Sequence, residues 1–233
     1  MTIVLVLSVF LVVFYIVIEH MKKPLLALMV KGFASLGFIS VFAASIYGRV
    51  QFMDKSLISF VLLGLVAGLM GDLYLALRPL RPKAENEKII MGGILCFSTG
   101  HLFYILAIIS LSGFHLISIP ISLFMTVVVI MGSKIMKFQM GIAKYPTYFY
   151  SLLIFLMIGQ TIGHGMATSF GSFEVLMVIG AILFGVSDLI LAPIYYQGKD
   201  TKLLITLNLA TYYAAQILIA LSIYFMPNTV ILL

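Results

Sequence analysis

The chain reads as all-α: a bundle of eight transmembrane helices with no soluble domain. Three features carry this reading. Hydrophobic residues make up 63% of the 233 residues and charged residues only 9%, against about 45–50% and about 25% in a soluble domain. A chain so composed cannot cover its own surface with polar groups. The apolar residues fall into eight runs that match the ~20-residue crossing of a bilayer. Strand-like alternation is absent, which separates a helical bundle from a membrane barrel. A disordered chain, a disulfide scaffold and a soluble nucleic-acid binder are excluded. The single cysteine, Cys96, lies in an apolar run and reads as packing.

The first span, 2–18, has no basic leading segment and no small-x-small cleavage site, so it reads as a retained helix. The second, 25–47, is entered through Lys23-Pro24-Leu25 and carries Lys31 one to two turns from its start, within snorkelling reach of the membrane surface. The third, 56–77, is stopped by Pro79 and Pro82 and contains Asp72. The fourth, 89–109, contains Ser98, Thr99, His101 and Tyr104. The fifth, 116–133, is the shortest, and the sixth, 146–167, holds His164 between two glycines. The seventh, 173–195, contains Asp188, and the eighth, 203–226, contains Asn208, Tyr212 and Gln216 four residues apart on one face. All eight form one transmembrane domain spanning 1–233.

Loop charge sets the expected orientation. The loops after spans one, three, five and seven hold eleven Lys and Arg residues, among them Lys23, Arg78, Arg81 and Lys88; the opposite side holds only Arg49 and Lys55. The net charge of +6 thus reads as positive-inside loops, not as an acidic partner. Both termini are expected outside, in a multi-pass protein of the cell membrane if the source is bacterial.

Six of the eight acidic residues sit at helix ends or in loops; Asp72 and Asp188 do not. A carboxylate at membrane depth costs several kcal/mol, so it faces the bundle interior and usually has a task. The flanks of the two resemble each other: GLVAGLMGDLYLA over 64–76 and GAILFGVSDLILA over 180–192. The offset of 116 residues is half the chain, which suggests a parallel four-plus-four repeat. Asp72 lies six residues before Arg78, about 9 Å of helix, and Asp188 seven before Tyr195. Matched depth and matched flanks predict that both carboxyls face one cavity in the cytoplasmic half, with His101 on its wall. Gly64, Gly68 and Gly71 on one face would allow close helix approach or leave room for a ligand.

His101 and Tyr104 share a helix face, as do Asn208, Tyr212 and Gln216. Such stripes serve interhelical hydrogen bonding as readily as a site. His164 reads as an interface residue, and His20 and His115 as loop residues without a role. Two aspartates and one histidine could ligate a metal, but no HExxH or paired-His spacing is present and none is assigned; no cofactor is expected. Gly-x-Ser-x-Gly and usable nucleotide-binding glycine patterns are absent.

These residues resemble the YhhN-type lysoplasmalogenase family of small polytopic membrane proteins. The resemblance lies in Lys23-Pro24-Leu25, Gly71-Asp72, Gly100-His101-x-x-Tyr104, Phe184-x-x-Ser187-Asp188 and Tyr212-Tyr213-x-x-Gln216, in family order over most of the chain. Lys31 has no counterpart among these motifs. The resemblance implies hydrolysis of the vinyl ether bond of a lysoplasmalogen to a fatty aldehyde and a glycerophospho-headgroup, as characterised animal members perform.

That reaction protonates the β-carbon of an enol ether and adds water to the resulting oxocarbenium ion. The hemiacetal then collapses. It needs an acid, a charge facing the cation and a base for the water, close to the paired-carboxylate logic of glycosidases. Asp72 and Asp188, sharing one proton, are the expected acid and carboxylate, with His101 beside them. Lys23, Tyr104, Ser187, Tyr212 and Gln216 are the expected substrate-binding residues, and a lysophospholipid is the expected partner, with membrane lipids around it. A proton-coupled transporter and a non-catalytic lipid-binding protein are the rival classes, since buried acids and a polar seam occur in carriers too.

Overall fold

A computed structural model describes residues 1–227. It contains eight long helices: α1 Thr2–His20, α2 Pro24–Ile46, α3 Lys55–Ala76, α4 Asn86–Ser112, α5 Ser118–Ile135, α6 Lys144–Thr168, α7 Ser172–Gln197 and α8 Lys202–Ser222. Among the described residues all eight are long and apolar enough to cross a membrane, the architecture of a multi-pass membrane protein. Each expected span is found within a few residues. The largest differences are at the end of α8, which stops at Ser222 instead of 226 and passes into the 3-10 turn Ile223–Phe225, and at both ends of α4, Asn86 instead of 89 and Ser112 instead of 109; at its start the polar turn Asn86-Glu87-Lys88 is helical though not apolar. Glu87 in that turn complements the helix N-terminus.

The helix ends follow local chemistry. The Asp54 carboxylate accepts the Leu57 N–H at 2.7 Å and caps α3. Pro24 occupies the first turn of α2, where its missing N–H costs nothing. Gly198, left-handed at φ 67°, ends α7. Pro193 within α7 has no N–H for the Leu189 carbonyl, one residue past Asp188.

Helices pack as neighbours in sequence, α1 on α2, α3 on α4, α5 on α6 and α7 on α8, with α6 also against α4 and α7, and α2 against α3 and α8. α1 and α5 lie outermost. On α5 the buried residues are Ser118, Ser122, Thr126 and Ser133, while Leu123, Phe124 and Met131 face outward. This inverts the soluble pattern, because lipid is as apolar as leucine and helix contacts in a membrane favour small and hydrogen-bonding residues. Ser122 donates to the Leu152 carbonyl on α6 at 2.7 Å.

Lys31 departs from the expectation. It does not snorkel: its side chain is buried, turned toward α3.

Candidate functional site

Asp72 sits in the last two turns of α3, only 2% exposed. Lys31 Nζ lies 3.2 Å from its Oδ1. Ser35 Oγ donates to Oδ2 at 2.6 Å and Tyr212 Oη donates to the same oxygen at 2.7 Å. Lys31 and Ser35 are four residues apart on α2 and so present one face. Insertion scales set each charge at membrane centre at about 2.5–3.5 kcal/mol; ion pairing and two further hydrogen bonds offset that cost here. The network continues outward. Gln216 Nε2 donates to Tyr212 Oη at 3.3 Å, and Tyr104 Oη donates to Gln216 Oε1 at 2.8 Å.

Three glycines on α3 seat this network. A methyl group at Gly64 would overlap the Tyr104 ring, one at Gly68 would overlap the Gln216 amide, and one at Gly71 would overlap Phe97. The glycine face therefore holds protein side chains in place rather than open space for a ligand.

Asp188 belongs to a second network. Its Oδ2 accepts the Tyr150 hydroxyl at 2.6 Å, and Tyr150 Oη lies 3.3 Å from His101 Nε2. His101 is 1% exposed, with its ring 4.6 Å from that of Phe184. The order Asp188–Tyr150–His101 is a line of proton-bearing groups. With its hydroxyl hydrogen donated to Asp188, Tyr150 can accept through the same oxygen from a His101 Nε2–H, so the imidazole holds the tyrosine and the tyrosine holds the carboxyl. Asp188 and Tyr150 also line a cavity between α4, α6 and α7, otherwise walled chiefly by apolar side chains such as Ile94, Phe97, Ile154 and Phe155.

The expected shared cavity is not what forms. Asp72 is not among the residues lining the cavity, and neither is His101. Asp72 turns toward α2 and α8, and Asp188 toward α6. Between them stands an aromatic wall: Tyr212, Phe97 and Phe184 meet with ring centroids 5.3–6.0 Å apart. Each aspartate is thus met by the helix before its own. At the 116-residue offset Lys31 corresponds to Thr147 and Ser35 to Ser151, and both of the latter line the cavity. Where the first half places a cation, the second places a hydroxyl, bonded to Tyr196 Oη at 2.7 Å. Among the described residues, no cation pairs with Asp188.

The other expected residues divide. Tyr104, Tyr212 and Gln216 converge on Asp72 as one chain of hydrogen bonds. Ser187 is buried but donates to the Phe184 carbonyl of its own helix at 2.8 Å, so its hydroxyl is already satisfied. Lys23 is exposed at the start of α2, and its backbone carbonyl accepts the first helical bond from Ala27 at 2.9 Å. Four residues were missed: Tyr150, Ser35, Lys31 as a partner, and Tyr195, which lines the cavity and lies within electrostatic reach of both Lys31 and Arg78. A lysine inside an apolar helix asks for an acid on another helix, so Lys31 carried a usable signal. Tyr150 carried none, because its partners lie 38 and 49 residues away. Among the described residues no three His, Cys, Asp or Glu side chains converge closely enough to share a metal ion.

At the opposite end of the bundle, His164, expected as an interface residue, and His115, expected to have no role, both bond the Ser112 hydroxyl, at 2.8 and 2.7 Å. His164 also lies 3.6 Å from Glu174. This cluster ties the α4–α5 loop to α6 and α7.

A family model, described as the YhhN family, matches residues 26–223. No curated protein and no solved structure matched the chain. The matched residues include Asp72, His101, Tyr150 and Asp188; Lys23-Pro24-Leu25 falls just outside them.

Proposed function

The chain belongs to the YhhN family, and on that premise we propose that it is a lysoplasmalogenase-like hydrolase that cleaves the vinyl ether bond of a single-chain lipid. The observation that carries the reading is Asp188: a carboxyl on the wall of an apolar cavity, joined through Tyr150 to His101. The cavity supplies an environment for the alkenyl chain, and the carboxyl faces into it.

In this mechanism Asp188 delivers its proton to the β-carbon of the alkenyl ether. The double bond shifts to the oxygen and gives an oxocarbenium ion. The carboxylate left behind faces that cation in a poorly screened site, where its charge is most effective. Water adds to the cationic carbon and returns a proton to Asp188, with Tyr150 and His101 holding the carboxyl and buffering the transfer. The hemiacetal then releases the glycerol hydroxyl and a fatty aldehyde. One carboxyl serves as acid and then base, as the acid/base residue of a retaining glycosidase does across its two steps. Asp72, fixed by Lys31, acts as a positioning residue: it anchors Tyr212, whose ring backs Phe97 and Phe184 beside the cavity.

The test is to offer the purified protein a lysoplasmalogen in ¹⁸O-labelled water. Fatty aldehyde is expected, with no label in the released glycerophospho-headgroup, because water attacks the vinyl carbon and not the glycerol carbon. Label in the headgroup, or no aldehyde, would contradict the reading. Lysolipid-independent proton flux through reconstituted protein would instead favour the transporter.

A further inference from the structure

Just past the end of α3, the turn Arg78–Leu80 carries Arg78 across to α7. Its guanidinium lies 4.6 Å from the centroid of the Tyr195 ring. An arginine stacked on an aromatic face keeps its plane fixed and its N–H fork free along the edge, the arrangement that matches a phosphate. Among the described residues no carboxylate forms an ion pair with Arg78. Its neighbours differ: Arg81 and Lys88 share a surface recess with Glu85, which offsets part of their charge. Arg78 is partly exposed.

Tyr195 ties this cation to the cavity. It lines the same cavity as Asp188 and lies within electrostatic reach of Lys31 as well as Arg78. Asp188 and Tyr195 are seven residues apart on α7, about 10 Å of helix rise, a gap that the reach of an arginine side chain shortens. In a single-chain glycerophospholipid the phosphate sits one glycerol length from the chain's ether oxygen. We propose that Arg78, held on Tyr195, is the phosphate-binding residue of this site, placing the headgroup phosphate of a single-chain glycerophospholipid at the cavity mouth while its chain enters toward Asp188. Lys23, one of the expected substrate-binding residues, lies exposed before α2 and off the cavity lining, so Arg78 and not Lys23 takes the phosphate in this proposal. The proposal rests on the reading of the cavity as the seat of a lipid chain, but not on the chemistry performed there.

The experiment measures binding without turnover. Two saturated probes of equal chain length, a lyso-alkyl-glycerophosphocholine and the alkylglycerol lacking phosphate, compete for the purified protein in maltoside micelles, which carry no phosphate. The phosphate-bearing probe is expected to bind at least about tenfold more tightly, the scale of a charge-assisted hydrogen bond. Arg78→Gln is expected to reduce that ratio to near one while alkylglycerol binding is kept, and Arg78→Lys to keep part of it. In the unaltered protein the ratio is expected to fall as salt rises, because Arg78 is solvent-accessible; this arm stands even if Arg78→Gln does not fold. Equal binding of the two probes, or an unchanged ratio in Arg78→Gln, overturns the proposal and leaves the hydrolase reading standing. Inorganic phosphate binding as tightly as the lysolipid overturns the lipid assignment in favour of a free-anion site. Binding of neither probe overturns it together with the lipid reading of the cavity.

Discussion

Lys31 on α2 and Asp72 on α3 form an ion pair, Nζ to Oδ1 at 3.2 Å, buried within the helix bundle. Removing one member leaves the other charged and without a counter-ion in a medium that solvates it poorly. Breaking such a pair costs about 3–5 kcal/mol, whereas replacing both members by apolar groups is often neutral. Asp72→Asn and Lys31→Met alone are therefore expected to destabilise the protein by about that amount, and the double variant to recover most of the loss. Thermal unfolding in detergent of the four proteins checks this. Additive losses in the double variant would mean that the two side chains are not coupled.

Among the described residues, Tyr150 is the sole hydrogen-bond link between Asp188 and His101. Tyr150→Phe keeps the ring in the cavity wall and removes the hydroxyl. Turnover of a lysoplasmalogen is expected to fall about 100-fold, the lower range for an acid–base contribution, with binding of a saturated lyso-ether lipid changed little. Steady-state kinetics beside equilibrium binding separate the two effects. A rise in KM with kcat intact would make Tyr150 a binding residue only.

The glycines of α3 divide from that of α5. Gly64→Ala and Gly68→Ala place a methyl group against Tyr104 and Gln216 and are expected to destabilise by about 1–3 kcal/mol, the scale of overpacking. Gly132, in α5, has nothing within 4 Å of where a Cβ would stand. There Ala is expected to stabilise by up to about 1 kcal/mol through helix propensity. Unfolding midpoints of the three variants show whether the signs differ as expected.

Much of this architecture was legible in the sequence, for a physical reason. Water-to-lipid transfer writes each span as an unbroken apolar run, so all eight helices could be read, and α4 exceeds its expected span where polar residues flank the apolar run, Asn86-Glu87-Lys88 at its start and Ser110 and Ser112 at its end. Asp72 and Asp188 stood out because charge is rare at that depth. Their separation was not legible. Depth and flanking residues specify how far along a helix each carboxyl lies, but not the direction it faces around the axis. That direction was settled by Lys31 and Ser35 for Asp72 and by Tyr150 for Asp188. Lys31 looked able to snorkel because it lies near a helix start. An acid on the neighbouring helix offers it a nearer counter-charge. Ser187 was chosen for its place beside Asp188, yet a helical serine commonly bonds a carbonyl one turn back, and this one does.

Orientation is open to a direct check. Eleven basic residues lie in loops and at helix ends on the side of Arg78 and Lys202, and two on the other. By the positive-inside rule the termini are expected outside the cytoplasm. A C-terminal alkaline phosphatase fusion is expected to be active and a fluorescent protein that folds only in the cytoplasm to be dark. The reverse pattern would place the mouth of the cavity on the outer leaflet.

The most direct measurement of the central claim is the turnover of Asp188→Asn beside its binding of a saturated lyso-ether lipid. Asparagine preserves the shape and a hydrogen bond to Tyr150 but has no acidic proton to give. Aldehyde release is expected to fall by about 100-fold or more, with lipid affinity within about twofold of the unaltered protein, since chain burial does not depend on the acid. Aldehyde release at the unaltered rate from Asp188→Asn would contradict Asp188 as the proton donor.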